Sequence, residues 1–169
     1  LDTDYLVIEC DGSNLGWGAI LLAKSNKYSK KTEEQICRYN SGKYKEKWNI
    51  SSIDVELLAV RYGLDSFRLF ILNKPEITLR TDCKAIVSFY NTHREKRSST
   101  RRWLIFYDSI IGSGYKVIFE HQKGSNNQLA NYLSRIANTI FDTDGTTTTQ
   151  SSDWPMGVNQ TSQGNQFTF

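Results

Sequence analysis

Three carboxylates stand where the chain changes character. Asp11 closes a β-branched run, Tyr5-Leu-Val-Ile-Glu-Cys-Asp11, and is followed by Gly12. Asp82 follows a second such run, Glu76 to Thr81, and precedes a short helical pattern. Glu56 lies near the start of a long amphipathic segment, between Ile53 and Val60 at the border of its apolar face. Taken singly, each has an ordinary explanation: Asp-Gly shapes a turn, Asp82 caps a helix, and Glu56 is a surface charge at a helix N-terminus. Taken together, with the first and fourth strands paired and the helix packed on them, the three converge at one strand end. Such an all-oxygen set suits a hard divalent cation, and Mg²⁺ typically takes a few carboxylates plus substrate phosphates.

The elements that would position them follow from the pattern. Tyr5–Asp11, Gly16–Lys24 and Gln35–Tyr44 read as three consecutive strands joined by short loops, an antiparallel meander. The period then changes. Ile53, Leu57, Val60, Leu64, Phe67 and Ile71 recur at three and four, which predicts one long helix capped by Ser51 or Ser52 and ended by Asn73 and Pro75. Glu76–Thr81 is a fourth strand, Cys83–Asn91 a short helix, Arg101–Ile111 another, and Tyr115–His121 a fifth strand. Asn126–Asn138 is a last helix with Leu129, Leu133 and Ile136 on one face, and Ser125, Asn126 and Asn127 at its cap. The order βββαβααβα predicts an α/β domain with a mixed five-stranded sheet flanked by helices, over residues 1–140. Residues 141–169, rich in Thr, Ser, Gln and Asn, read as a polar tail or linker.

Charge divides along the same boundary. The 169 residues hold 21 Lys and Arg against 18 Asp and Glu, a net +3. No base and three acids lie beyond residue 140, so fifteen acids face all 21 bases in 1–140, a net of +6. A basic domain favours a polyanionic partner without naming it. Cys10, Cys37 and Cys83 are sparse and odd in number, which argues for reduced thiols in an intracellular setting. Two histidines, His93 and His121, make a zinc site of the usual spacing unexpected. No window approaches a membrane span, and no signal pattern is present. The start at Leu1 suggests a processed product or a piece of a longer chain.

Four ordered stretches carry a resemblance: ECDGSNLGWGAIL (9–21), WNISSIDVELLAVRYGL (48–64), LRTDCKAI (79–86) and HQKGSNNQLANYLSR (121–135). Together they resemble the ribonuclease H domain of reverse transcriptases. The type is that of plant pararetroviruses (caulimoviruses and tungro-type bacilliform viruses), related to long-terminal-repeat retrotransposons. The resemblance covers residues 1–138. It implies a ribonuclease H-like fold and an endoribonuclease that cuts the RNA strand of RNA–DNA hybrids with two Mg²⁺ ions, Mn²⁺ being a substitute. It implies that Asp11 bridges both ions while Glu56 and Asp82 join it around the leaving-group-side ion. It further implies a polymerase domain of the same reverse transcriptase as partner, no membrane, and a place in the infected host cell's cytoplasm or the virus particle.

One position departs from the family. In Leu129-Ala-Asn131-Tyr-Leu-Ser-Arg135, Asn131 occupies the fourth carboxylate position, where an Asp is expected. An amide keeps the shape and one carbonyl oxygen but not the charge. By the resemblance, the water-activating ion should then bind poorly, so cleavage is expected to be slow or absent with hybrid binding retained. An engineered Asp→Asn, natural divergence, and a tolerated amide all fit; the first is favoured because the other three carboxylates are intact.

Arg94, Lys96, Arg97, Arg101 and Arg102 put five positive charges into nine residues and look like a reduced form of the basic protrusion of cellular relatives; an ordinary solvated loop fits equally. Gly12, Ser13 and Asn14 could let small polar groups approach the RNA 2′-hydroxyls, or simply form a turn. His121 precedes the loop that in relatives carries a histidine, and reads as a structural, partly buried residue. Two alternatives stand beside the enzyme. One is a non-catalytic hybrid-binding or connection module, favoured by Asn131. The other is a DNA-cutting or strand-transfer nuclease, which fits the DVELLAV and LSR stretches less well.

Overall fold

The computed structural model describes residues 5–44, 51–92, 106, 108, 110, 112 and 114–141. Five strands form one sheet: β1 (Tyr5–Gly12), β2 (Trp17–Lys24), β3 (Gln35–Gly42), β4 (Glu76–Thr81) and β5 (Lys116–His121). Their order across the sheet is β3-β2-β1-β4-β5. The first three pair antiparallel, as a meander must, whereas β1–β4 and β4–β5 are parallel. The predicted mixed sheet is therefore present, and the first and fourth strands are neighbours.

β1 sits at the centre and is buried on both faces, which is why its sequence is almost continuously apolar. Leu6, Ile8 and Cys10 join the larger core with Leu57, Val60 and Leu64 of α1 (Ser52–Ser66). Val7 turns to the other face, where Ile20, Leu22, Ala130 and Leu133 form a second core. Val7 and Ile8 are fully buried, each worth roughly 1.5–3 kcal/mol relative to exposure.

α1 starts at a capping box. The Ser51 hydroxyl accepts from the Asp54 N–H, and the Asp54 carboxylate accepts from the Ser51 N–H. The helix predicted through Ile71 instead breaks at Phe67 (φ −106°, ψ 11°) and resumes as α2 (Arg68–Ile71). The Ser66 hydroxyl donates to the Gly63 carbonyl, a local bond that competes with the helical ladder. The bend lets both Phe67 and Ile71 enter the core. Ile53, expected on the apolar face, is exposed in the first turn of α1.

α3 (Lys84–Thr92) follows β4. Of the helix expected over 101–111, Phe106, Asp108 and Ile110 are described, and all three are helical. The last helix, α4 (Gln128–Phe141), begins two residues later than expected, after a 3-10 turn at Gly124–Asn126. Its buried face carries Ala130, Leu133 and Ser134, with Ile136 packed against them; Leu129, expected on that face, is exposed, and Ala130 takes the inward position in the first turn. α4 packs so closely on β2 that a Cβ at Gly18 would lie 2.4 Å from the Ala130 carbonyl oxygen. Of the predicted tail, 141–169, Phe141 is the last residue of α4, and residues 142–169 lie outside the described residues. No helix among those described is long and apolar enough to cross a membrane.

Candidate active site

The β1–β4 register builds the site. Glu9 stands opposite Arg80, and side chains two residues on share a face, so Asp11 and Asp82 emerge side by side at the strand ends. α1 crosses this end and delivers Glu56. One carboxylate oxygen from each of Asp11, Glu56 and Asp82 lies within 4.8 Å of the others. The sequence singled out these three, and the fold brings them together.

Backbone proximity and hydrogen bonds aim them. The Gly12 N–H donates to Glu56 Oε2 at 3.3 Å. Gly12 must be glycine here, since a Cβ would sit 2.6 Å from the Val55 carbonyl oxygen. The Ser134 hydroxyl lies 2.8 Å from both Asp11 Oδ2 and the Asn131 carbonyl oxygen and can donate to either. Ser13 ties its turn to the same helix by donating to the Ser134 carbonyl at 2.8 Å, while accepting from the Leu15 and Gly16 N–H groups. α4 is thus fastened to the Asp11 end of β1.

The cluster is electrostatically unfinished. Burial, and then the charges of Asp11 and Asp82, push Glu56 up to about 8, with only the Gly12 N–H opposing. Burial also pushes Asp11 up to about 6; the Ser134 hydrogen bond opposes it, Asp82 adds to it, and Arg135 opposes it. Burial and then the Glu56 and Asp11 charges raise the half-buried Tyr44 phenol as well, and its hydroxyl donates to the Val55 carbonyl at 3.2 Å. A divalent cation among these oxygens would offset the repulsion between the carboxylates and favour their ionised forms. The donor set is oxygen alone, without His or Cys, which fits Mg²⁺ or Mn²⁺ far better than zinc.

Asn131 is half-buried on α4, three residues before Ser134 and so on the helix face turned toward Asp11. Asn14 is exposed beside the site. Arg94, Lys96, Arg97, Arg101 and Arg102 lie outside the described residues. His121 is exposed rather than partly buried, because it ends the edge strand β5.

Two features had escaped the sequence reading. Ser134 was only part of a motif, and nothing in its spacing showed that it meets Asp11. A buried ionic cluster lies on the same sheet face, beside the carboxylates. Arg80 donates to both Glu34 oxygens at 2.6 and 2.7 Å, to Glu120 at 2.9 Å and to Glu9 at 3.3 Å. Lys31 reaches Glu9 at 3.1 Å and Gln122 at 2.5 Å. Gln122 donates to the Asn126 carbonyl at 2.8 Å, and Asn127, expected as a cap, spends its amide on the Cys10 carbonyl at 3.0 Å. The alternating Glu9-Cys-Asp11 and Arg80-Thr-Asp82 patterns were the available signal.

Comparison with known proteins agrees with this geometry. The chain is 42% identical over 138 residues to polyprotein P3 of Commelina yellow mottle virus, covering 82% of this chain and 7% of that protein. It is 35% identical over 136 residues to the enzymatic polyprotein of Figwort mosaic virus, covering 78% and 19%. It thus spans less than a fifth of either polyprotein. LC11-RNase H1, isolated from compost by a metagenomic approach and crystallised with an RNA/DNA hybrid, shares the fold at a TM-score of 0.60 and 16% identity, over 80% of this chain and 97% of that one. Residues 2–109 match the RNase H-like domain found in reverse transcriptase, and the chain belongs to that family.

Proposed function

We propose that this domain acts on the RNA strand of RNA–DNA hybrids within a viral reverse transcriptase, inside the host cell or particle, and does so with divalent cations. The observation that carries this reading is the meeting of Asp11, Glu56 and Asp82 within 4.8 Å at the open end of a ribonuclease H-type sheet. These three residues would hold the ions. Divalent cations held there would supply positive charge to a substrate phosphate and would make a bound water more acidic. The chain's own part is positioning. Ser134 and the Gly12 N–H hold Asp11 and Glu56 in fixed orientations, so little reorganisation is needed as charge develops. The polymerase region of the same polyprotein is the partner that delivers the hybrid.

Asn131 shapes the second half of the proposal. It offers a neutral carbonyl where the family carries a fourth carboxylate, so the water-activating ion is held weakly. Cleavage is slow while the hybrid still binds. The non-catalytic binding module remains the second reading, favoured by that same residue. The test is cleavage of one end-labelled hybrid in Mg²⁺ and in Mn²⁺, comparing this chain with Asn131→Asp, with duplex RNA and duplex DNA as controls. Faster cutting of the hybrid by Asn131→Asp supports the enzyme. Equal rates from the two chains remove the role given to Asn131, and no cutting by either leaves the binding module.

A further inference from the structure

We propose that Lys31 is a positioning residue of this site. Through the Gln122 amide it sets the β5–α4 turn against Asp82 and, one step further, the backbone beside Asp11. The inference rests on the reading of the acidic cluster as a divalent-cation site, and adds to it a residue supplied by the β2–β3 connection.

That connection begins at the wrong end of the sheet. β2 runs antiparallel to β1, so it finishes at Lys24 opposite Tyr5, remote from Asp11. Yet Lys31 meets Gln122, which follows β5 at the carboxylate end. The connection therefore folds back across the sheet face. On the way Lys27 pairs with Glu76 at the start of β4, and on the return Glu34 grips Arg80 with both oxygens. A 3-10 turn, Lys31–Glu33, is pinned between these anchors, and the Glu34 N–H donates to the Lys31 carbonyl at 3.2 Å. Lys31 is thus presented from a fixed backbone. Its side chain is half exposed and also pairs with Glu9 at 3.1 Å.

An ammonium group donates and never accepts, so Lys31 gives the network a direction. Its Nζ donates to Gln122 Oε1 at 2.5 Å, which decides how that buried amide faces. The Gln122 NH₂ then donates to the Asn126 carbonyl at 2.8 Å and to Asn127 Oδ1 at 3.5 Å. With its oxygen so engaged, the buried Asn127 amide turns its NH₂ to the Cys10 carbonyl at 3.0 Å. The Gln122 N–H meanwhile donates to the Thr81 carbonyl at 2.9 Å. Cys10 and Thr81 are the residues just before Asp11 and Asp82. Between the two amides the turn passes Asp82 closely: a Cβ at Gly124 would lie 3.0 Å from Asp82 Oδ2. A reversed Gln122 amide would set oxygen against oxygen in a buried place.

Charge and positioning predict opposite effects, which makes the test discriminating. Removing a cation near three carboxylates favours a divalent ion by Coulomb attraction. Releasing the turn behind Asp82 and Asp11 weakens the ion's hold, because partners behind metal ligands fix their orientation. The full chain, Lys31→Met, Lys31→Arg, Gln122→Met and the Lys31→Met/Gln122→Met double variant are each titrated with Mn²⁺. The side-chain amide signals of Gln122 and Asn127 are followed by heteronuclear NMR without metal. Lys31→Met is expected to bind Mn²⁺ about tenfold more weakly and to shift the Asn127 amide signals; Lys31→Arg should restore both. The double variant should lose no more than Gln122→Met alone, since the two residues act in one chain. Tighter or unchanged Mn²⁺ binding by Lys31→Met overturns the inference, as does an equal loss in Lys31→Arg. Losses that add in the double variant overturn the route through Gln122. Should Gln122→Met not fold, the Asn127 signals of Lys31→Met decide that point, and unmoved signals overturn the route. A salt slope for RNA–DNA hybrid binding in Ca²⁺ shallower by about one in Lys31→Met also overturns it, since that marks a phosphate contact. If the unsubstituted chain binds no Mn²⁺, the cation reading falls and takes this inference with it, an outcome distinct from a chain that binds Mn²⁺ but ignores the substitution.

Discussion

Glu9 and Asp11 lie two residues apart on one strand, as do Arg80 and Asp82 on its neighbour, yet the two pairs live in opposite electrostatic worlds. At Glu9 the protein completes its own circuit. Glu9, Glu34 and Glu120 are answered by Arg80, with Lys31 and Lys24 beside them. Burial disfavours the Arg80 charge, but Glu34 and then Glu120 outweigh it and raise its pKa. One step toward the strand ends, Asp11, Glu56 and Asp82 face one another with two hydrogen bonds and the distant influence of Arg135. The same sheet face thus carries one acidic group that is satisfied from within and another that waits for charge from outside. The first is architecture, and the second is the site.

Substitutions should separate the two. The largest effect is expected at the open cluster. In an Asn131→Asp background, Asp11→Asn should lower hybrid cleavage by roughly 10²–10³-fold or more while leaving guanidinium unfolding almost unchanged. Parallel loss of stability would erase the distinction. Next is Arg80→Met, which strands buried carboxylates and should cost about 3–5 kcal/mol in the same unfolding assay.

Glu56→Gln should move stability the other way. Glu56 passes from the usual 4.5 when unfolded to about 8 when folded, and Asp11 from 3.8 to about 6. Raised folded-state values mean that the folded protein binds more protons, so without divalent cations stability falls as pH rises from about 4 to about 8. Thermal melts across that window should show this decline, and it should shrink in Glu56→Gln and in saturating Mg²⁺. A flat profile for the unsubstituted protein would sink the account of the cluster. The smallest change should come from Glu120→Gln. Its carboxylate is 47% exposed, and such partners are worth about 0–1 kcal/mol.

Much of this was legible in the sequence, for a physical reason. The strands and α1 are written in hydrophobic period, and Asp11, Glu56 and Asp82 sit at the ends of those periods, where side chains leave the core. What was missed depends on register. Arg80 and Glu9 look like unrelated surface charges until β1 and β4 are laid side by side, and Glu34 belongs to a loop no period describes. The break at Phe67 was hidden because Phe67 and Ile71 keep the helical spacing across the bend. Ser134 carried no signal of its own, since the hydroxyl finds Asp11 only when α4 is docked at Gly18.

The parallel pairing of β1 and β4 has a consequence in time as well as in space. Arg80 and Glu9 are 71 residues apart in sequence, and such long-range parallel contacts form late because a large loop must close first. Asp11 and Asp82 therefore meet only once that loop has closed. A nascent chain that has reached the end of β3 holds Asp11 but no cluster. The assembled acidic cluster is thereby withheld from a half-made domain, and Mn²⁺ binding followed during refolding would report the closing of the sheet itself.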